Sequence, residues 1–342
     1  MPAEAGDPIT PEQIDEIYRT LIQPTLFGTT SGDELSPTLV LLGGQPGSGK
    51  SRASARLLAQ HHGMVALSGD DLRIFHPQFR ELISAMPEQA GEIFAEATRP
   101  WVRAALQDSL IGRRSLLLEG TFGDPDVVLA TAVRFRDVGF RVRIVAITSP
   151  RVLSLVTAAS RYLRDRKANS PARFTRLSAH DRGYDGTARL IQSLDASAPV
   201  DQVTIVSRNG NILFDHAREA ETRSDVFNGA TAAMRDGRHP TSWGARSTME
   251  LLGELKQITA YATSAGQMTS DTARLLIEAH ELALTEVVPN LSVATDSPQA
   301  RFIHQAVNEQ LVALRRQVNP AETVATDLPP DPDLPSAGLA VE

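Results

Sequence analysis

The feature that most constrains this chain is an apolar segment, Leu39–Leu42, that breaks into a glycine-rich turn. The turn reads Gly44-Gln45-Pro46-Gly47-Ser48-Gly49-Lys50-Ser51. It fits G-x-x-x-x-G-K-[ST], the pattern of the phosphate-binding loop. The apolar segment predicts a strand and Arg52–Gln60 predicts a helix, which together are the context that such a loop requires.

Each part of the loop has a chemical use. Glycines let successive backbone N–H groups point into one concavity, and the helix that follows adds its positive end. Lys50 can reach the outer phosphates of a nucleotide, and Ser51 would hold Mg²⁺. The sequence therefore predicts a nucleoside triphosphate site with Mg²⁺ at Gly44–Ser51.

Composition excludes several other classes of protein. The 342 residues include no cysteine, which removes disulfides and thiolate metal sites, and the net charge is −7. An acidic balance argues against broad nucleic-acid binding. No apolar run approaches the roughly 20 residues that span a membrane, and the amino terminus lacks a secretion-signal pattern. We expect a cytoplasmic protein with small-molecule or protein partners and neither nucleic-acid nor membrane partners.

Predicted strands alternate with predicted helices over the first two thirds of the chain. The strands are expected at Thr38–Leu42, Met64–Leu67, Ser115–Leu118 and Arg141–Thr148, followed by a hairpin around Asn209-Gly210. Such alternation predicts an α/β fold of the P-loop NTPase or kinase kind, with a mostly parallel sheet and helices on both faces.

Polar residues follow the predicted strands, where ligands of open α/β sheets bind. They are Lys50, Asp70, Asp71, Glu119 and Thr121. A kinase needs a carboxylate to accept the proton of the attacking hydroxyl and cations to neutralise the transferred phosphoryl group. These residues supply both, although an aspartate after a glycine is also a common turn or helix cap.

The ordered motifs of the chain resemble the zeta toxins of bacterial toxin–antitoxin systems, from the amino-terminal helix to about residue 215. The motifs are the phosphate loop, Gly69-Asp70, Leu72-Arg73, Phe75-His76-Pro77-Gln78-Phe79, Leu118-Glu119-Gly120-Thr121, Arg161-Tyr162, Ala172-Arg173 and His180-Asp181. The resemblance implies a toxin that is a kinase using ATP or GTP. Its expected acceptor is a hydroxyl of a nucleotide sugar, UDP-N-acetylglucosamine, and an antitoxin protein is a possible partner.

The resemblance also implies roles for single residues. Lys50, Arg161 and Arg173 are expected to neutralise the phosphates, Ser51 to bind Mg²⁺, Asp70 to act as general base, and Glu119 and Thr121 to hold the sugar nucleotide. Besides these, we expect Asp71, Arg73 and His76 to line the acceptor site. His76, just before Pro77, is equally compatible with a local helix cap.

One motif departs from the family pattern. The family usually reads Asp-Gly-Asp, whereas this chain has Ser68-Gly69-Asp70-Asp71. The base is therefore left open between Asp70 and Asp71. The acceptor is also open, because pocket changes of this kind can shift specificity. The alternatives are a kinase of NAD or a simple sugar, or a non-catalytic module gated by nucleotide.

The remainder of the chain predicts a second, helical unit. We expect a kinase domain at residues 1–215, a helical appendage at 216–318 and a disordered, acidic, proline-bearing tail at 319–342. The expected helices are Ala217–Met234, Thr248–Ser264, Ser270–Val287 and Gln299–Val318. The appendage could give packing support or could cover the nucleotide or acceptor site.

Overall fold

The structure is a computed structural model that describes residues 8–30, 32–194, 199–218, 227–239, 245–291 and 293–318. Within these residues one sheet is formed by six strands: β1 (Thr38–Gly43), β2 (Val65–Ser68), β3 (Leu116–Gly120), β4 (Arg141–Thr148), β5 (Gln202–Ser207) and β6 (Ile212–Ala217). Their order is β2-β3-β1-β4-β5-β6. All neighbouring pairs are parallel except β5 and β6, which form the predicted antiparallel hairpin.

The central strand β1 shows why the sheet forms here. Leu39 and Leu41 face one side of the sheet and Val40 and Leu42 face the other, and all four are fully buried. A strand covered on both faces reads as a continuous apolar run in the sequence. Its carboxyl end therefore delivers the glycine-rich turn to the edge of the sheet where ligands bind.

Nine helices of the described residues precede or flank the sheet. They are α1 (Pro11–Ile17), α2 (Gln23–Phe27), α3 (Lys50–Gln60), α4 (Phe79–Ala85), α5 (Ala90–Ile111), α6 (Pro125–Asp137), α7 (Arg151–Lys167), α8 (Leu177–Ser193) and α9 (Asn228–Arg238). Leu57 of α3 packs on one face of the sheet, whereas Trp101 of α5 and Phe135 of α6 are fully buried on the other. The predicted α/β fold with helices on both faces is confirmed.

Three further helices follow: α10 (Ala245–Ser264), α11 (Ser270–Leu282) and α12 (Pro298–Val318). Helices α10 and α11 pack against α7 rather than against the sheet, and α12 packs against α11. Leu155 and Tyr162 of α7 share one buried apolar cluster with Leu255 of α10 and Leu276 of α11. Since α7 also contacts the glycine-rich turn, these helices lie one element away from it.

One predicted helix is wrong at its start. Ala217 ends β6, and α9 begins only at Asn228, while residues 219–226 lie outside the described part of the chain. The strand also passes residue 215, where we expected the kinase domain to end. The tail predicted at 319–342 lies outside the described residues. Among those that are described, no helix is both long and apolar enough to cross a membrane.

Candidate active site

The phosphate loop joins β1 to α3 and packs against α7. Gly47 and Gly49 have φ angles of +79° and +102°, which side chains rarely adopt. A Cβ atom on Gly47 would overlap the carbonyl oxygen of Ser154 in α7. Glycine is therefore required at position 47 both by the backbone conformation and by the neighbouring helix.

Lys50, at the first position of α3, folds back over the loop. Its Nζ donates to the carbonyl oxygens of Gly44 and Gln45, at 2.8 and 3.2 Å. Burial lowers the pKa of Lys50 to about 8, with Glu119 opposing this shift. The ammonium group is charged at neutral pH, and an added negative charge would stabilise it strongly.

Two buried polar atoms of the loop have no hydrogen-bond partner among the described residues: Gln45 Oε1 and Ser48 Oγ. Buried polar groups are normally paired. The Gln45 amide is held by Ser149 and Ser154, so of the two atoms the Ser48 hydroxyl is the one available to a polar ligand in the loop. Ser51 lies exposed in the first turn of α3. Within the described chain, no cluster of three or more His, Asp or Glu could hold a metal ion. A magnesium ion is usually bound by few protein groups together with substrate phosphates, which fits the Ser51 hydroxyl.

Asp70, just after β2, is held between two arginines. Arg73 Nη2 lies 2.7 Å from Asp70 Oδ1, and Arg173 Nη2 forms an ion pair with Oδ2. Burial alone would raise the pKa of Asp70, but Arg173, Arg73 and Lys50 together outweigh it and lower that pKa. Asp70 is therefore an ionised carboxylate within electrostatic reach of the phosphate loop.

The pKa values of the neighbouring carboxylates, Asp71 and Glu119, are raised rather than lowered. Burial, assisted by the charge of Asp70, raises the pKa of Asp71. Burial also raises the pKa of Glu119, which Lys50 partly offsets. Glu119 lies within β3 rather than beyond its end, and it pairs in register with Leu42 of β1. Groups whose pKa values are pushed apart in one site are typical of acid–base centres.

Arg161 reaches the same cluster from α7. It is exposed and, among the described residues, has no carboxylate at salt-bridge distance. It nevertheless interacts electrostatically with Asp70 and Arg173. The structure thus brings together most of the predicted site residues: Lys50, Asp70, Asp71, Arg73, Glu119, Arg161 and Arg173.

Two predicted acceptor residues lie in different surroundings. His76 is buried; its Nδ1 accepts from the backbone N–H of Gln78 at 3.2 Å, and its ring packs edge-on against Phe94. His76 is also the residue that ends the short helical turn Asp71–Phe75, where its backbone N–H donates to Arg73. Its place in an acceptor site stays a prediction. Thr121 lines an open cavity of about 870 Å³. The same cavity is lined by three arginines: Arg99, Arg182 and Arg189.

A buried chain of hydrogen-bonded side chains supports the phosphate loop, and sequence reasoning did not predict it. Gln45 Nε2 donates to Ser154 Oγ at 3.2 Å, Ser154 Oγ lies 2.8 Å from His180 Nε2, and His180 Nδ1 lies 3.1 Å from Asp181. Arg151 donates hydrogen bonds to both carboxylate oxygens of Asp181, at 2.9 and 2.8 Å. Ser154 and His180 are fully buried, so this group positions Gln45 rather than attacking a substrate. Of these residues, the sequence indicated only the His180-Asp181 motif.

Arg208 also holds the phosphate loop, and the sequence analysis did not predict this contact. It lies in the turn between β5 and β6, where its guanidinium donates to the carbonyl oxygen of Gly47. Its backbone N–H donates to Thr148 at 3.1 Å. The loop is therefore held on one side by α7 and on the other by this turn. The sequence indicated the turn through Asn209-Gly210 but gave no reason to single out an arginine before it.

Comparisons with known proteins identify the family of this chain. The model of the family described as Zeta toxin matches residues 25–219. The chain belongs to the zeta toxin family. The zeta toxins of Enterococcus hirae and Streptococcus pyogenes are each 25% identical over 182 residues, which is 52% of this chain and 63% of theirs. The match thus spans less than two thirds of these curated zeta toxins.

A solved structure shows the same fold. A chain from the structural characterisation of the PezAT chromosomal toxin–antitoxin system of Streptococcus pneumoniae superimposes with a TM-score of 0.61 at 20% identity. The superposition covers 76% of this zeta toxin family member and 100% of that chain. Because it extends beyond residues 25–219, the shared architecture is larger than the region matched by the family model.

Proposed function

We propose that this chain is a kinase that transfers the γ-phosphoryl group of ATP or GTP to a hydroxyl of a small molecule. The observation that carries the proposal is the convergence of Lys50, in a strand–loop–helix phosphate loop, with Asp70, held between Arg73 and Arg173. A cation-rich phosphate site beside an ionised carboxylate is what in-line phosphoryl transfer requires.

The donor half would work through positioning and charge. Backbone N–H groups of Gly44–Ser51 and the amino end of α3 would hold the phosphates, and Lys50 would turn from its loop carbonyls to the outer phosphates. Arg161 has no competing carboxylate at salt-bridge distance among the described residues and would add its charge to the γ-phosphate. Ser51 would hold Mg²⁺, which would neutralise charge on the phosphates.

The acceptor half would use Asp70 as base. Phosphate oxygens at Lys50 would compete with Asp70 for Arg173 and leave the carboxylate open to a hydroxyl. The acceptor oxygen then bonds to the γ-phosphorus while the bond to the bridging oxygen breaks. The hydroxyl proton passes to Asp70, and a nucleoside diphosphate leaves.

The acceptor we favour is a nucleotide sugar, UDP-N-acetylglucosamine. The cavity beside Thr121 is lined by three arginines, Arg99, Arg182 and Arg189, and by two aspartates, Asp124 and Asp126. The excess of arginine supports an acceptor with a diphosphate. Arginine recognises phosphate through bidentate charge-assisted hydrogen bonds. The same cluster would suit NAD, which also carries a diphosphate, and it disfavours a simple neutral sugar. Membership of the zeta toxin family supports the sugar nucleotide over NAD.

The same family supports a role as a toxin. The matched relatives are described as toxins, and the solved structure belongs to a toxin–antitoxin system. We therefore propose that an antitoxin protein binds this chain and blocks phosphoryl transfer. Expression of the chain alone should arrest bacterial growth, and Lys50→Ala should relieve the arrest.

The direct test is transfer from γ-labelled ATP and GTP to UDP-N-acetylglucosamine, NAD and N-acetylglucosamine, each assayed separately. We expect labelled UDP-N-acetylglucosamine with the natural chain and none with Lys50→Ala. Lys256→Ala, an exposed lysine of α10, is the matched control and should retain full activity. ATP binding without transfer to any acceptor would instead identify a nucleotide-gated module.

A further inference from the structure

A cavity of about 600 Å³ lies beside the phosphate loop, distinct from the one at Thr121. Its walls come from three elements: α7, the turn between β5 and β6, and α10. The polar lining includes Arg161, Arg208, Asn209, Ser247 and Glu250. Its volume is within the range of about 300–1,000 Å³ typical of small-molecule sites.

Two walls of the cavity belong to elements that also hold the phosphate loop. The two elements that clamp the loop, α7 through Ser154 and the β5–β6 turn through Arg208, continue outward as two of the cavity walls. Arg208 Cγ lies 3.4 Å from where a Cβ atom of Gly49 would stand. Arg161 belongs to the cavity lining and also interacts electrostatically with Asp70 and Arg173. A molecule anchored by phosphates in the loop would therefore extend into this cavity.

The third wall of the cavity is formed by α10, which lies outside the sheet domain. On α10, Leu251 and Leu255 are buried in the cluster shared with α7, whereas Ser247 and Glu250 are exposed on the cavity side. Glu254 is already engaged by Ser160 and Arg164 of α7, which fixes α10 against that helix. Packing accounts for the apolar residues of α10 but does not use Ser247. Glu250 lines the cavity while it is paired with Arg246 of the same helix at 2.8 Å.

The chemistry of the walls suits a nucleoside. Leu153 gives an apolar surface for a base, with the buried Val156 and Leu251 behind it. Asn209 and the carboxylates Asp165, Glu250 and Glu254 offer acceptors for amino or hydroxyl groups. We propose that this cavity binds the nucleoside of the phosphoryl donor and that α10 forms its outer wall. The C-terminal helices are then part of the donor site rather than packing support alone. This inference rests on the proposed function of the phosphate loop.

The test compares ATP with inorganic tripolyphosphate, which has the phosphates but no nucleoside. Both are titrated, with Mg²⁺ present, into the full chain and into Ser247→Trp, whose indole would fill the cavity. We expect the Kd for ATP to rise at least tenfold and the Kd for tripolyphosphate to change less than twofold. Lys256→Trp, on an exposed part of α10 that does not line the cavity, is the control and should change neither.

A milder variant, Glu250→Gln, covers the case in which the indole disturbs α10. It should weaken ATP severalfold and leave tripolyphosphate binding and the thermal unfolding midpoint unchanged. If ATP and tripolyphosphate still bind through Lys50, and neither α10 variant weakens ATP selectively, the nucleoside assignment is overturned while the kinase proposal stands. If Lys50→Ala leaves the binding of both ligands unchanged, the phosphate-loop assignment fails and this inference fails with it.

Discussion

Asp70 Oδ1 lies 2.7 Å from Nη2 of Arg73, while the second oxygen of the same carboxylate is paired with Arg173. The two arginines come from different places, one from the short helical turn after β2 and one from the connection between α7 and α8. Both oxygens of Asp70 are therefore committed to guanidinium groups. This pairing links Asp70, which we propose as the proton acceptor, directly to Arg173, which we propose as a phosphate ligand.

Asp70→Asn should lower the transfer rate by about 10²–10⁴, the usual contribution of a general base. The Kd for ATP should stay within a few-fold of that of the natural chain, because the phosphates are held by the loop, Lys50 and Arg161. Rapid-quench measurement of labelled product and calorimetric measurement of ATP binding separate the two effects.

Asp71→Asn is the matched comparison, since it changes the adjacent carboxylate in the same way. Its pKa is raised by burial and by Asp70, and it makes no ion pair with a described arginine. We expect less than a tenfold loss of rate. The reverse order, with Asp71→Asn the more damaging change, would assign the base to Asp71.

Gly47→Ala should abolish ATP binding, because the new methyl group would overlap the backbone of Ser154 in addition to straining a φ angle of +79°. Gly63→Ala tests the effect of backbone strain without a steric overlap, because Gly63 has a φ angle of +85° and open space where the methyl group would lie. It should cost about 1–2 kcal/mol of unfolding free energy and leave ATP binding intact. Equal ATP affinities in the two variants would show that the contact with α7 is unimportant.

Much of the fold could be predicted because its signals are local. The continuous apolar run of β1 and the consecutive residues of the phosphate loop can be recognised without knowledge of distant contacts. The helix predicted from Ala217 failed for the opposite reason. Residues Ile212–Ala217 are largely exposed, and their strand conformation comes from pairing with β5, which overrides a weak local preference.

The site was predictable only in part. Lys50 and Asp70 could be placed together because both follow strands of one parallel sheet. The pairing of Asp70 with Arg173 could not be predicted, because it depends on how the connection after α7 folds back over the sheet. The contact between Ser154 and His180 likewise joins two helices whose packing no local pattern specifies.

Nucleotide affinity should fall as pH rises above 8. Burial lowers the pKa of Lys50 to about 8, so the lysine is mostly neutral at pH 9, whereas phosphate groups with a pKa of about 6 are fully ionised throughout this range. Calorimetry at pH 8.5 in buffers of different ionisation enthalpy should detect proton uptake on ATP binding. Lys50→Arg, which stays charged, should show none. A flat affinity between pH 7 and 9.5 would contradict the role of Lys50.

Asp181 should contribute an acid-sensitive part of the stability. Burial would raise its pKa, but His180 and Arg151 outweigh it and lower the pKa to about 2, from 3.8. Because the pKa in the folded state is the lower one, this stabilisation is present above about pH 4 and is lost as the pH falls towards 2. Asp181→Asn should lower the unfolding free energy at pH 6 by about 2 kcal/mol, with a smaller difference at pH 3. Urea titrations at both values measure it.

The control for that prediction is Asp15→Asn. Asp15 pairs with Arg19 one turn along α1 at 2.7 Å, and both side chains are more than 60% exposed. Exposed pairs of this kind stabilise helices by about 0.5 kcal/mol or less. If the two variants destabilise the chain equally at pH 6, the buried group behind the phosphate loop does not stabilise it in the way described.

The arginines beside Thr121 should select the acceptor by its charge. Arg182→Gln and Arg189→Gln together should raise the KM for UDP-N-acetylglucosamine at least tenfold, since each lost charge-assisted hydrogen bond costs about 1.5–3 kcal/mol. The KM for ATP should change less than twofold, because these arginines line a different cavity from Arg161 and Arg208. Arg274→Gln, an exposed arginine of α11, controls for the loss of surface charge. If the double variant leaves the acceptor KM unchanged, a diphosphate is not bound at this cluster, and a neutral acceptor becomes the better proposal.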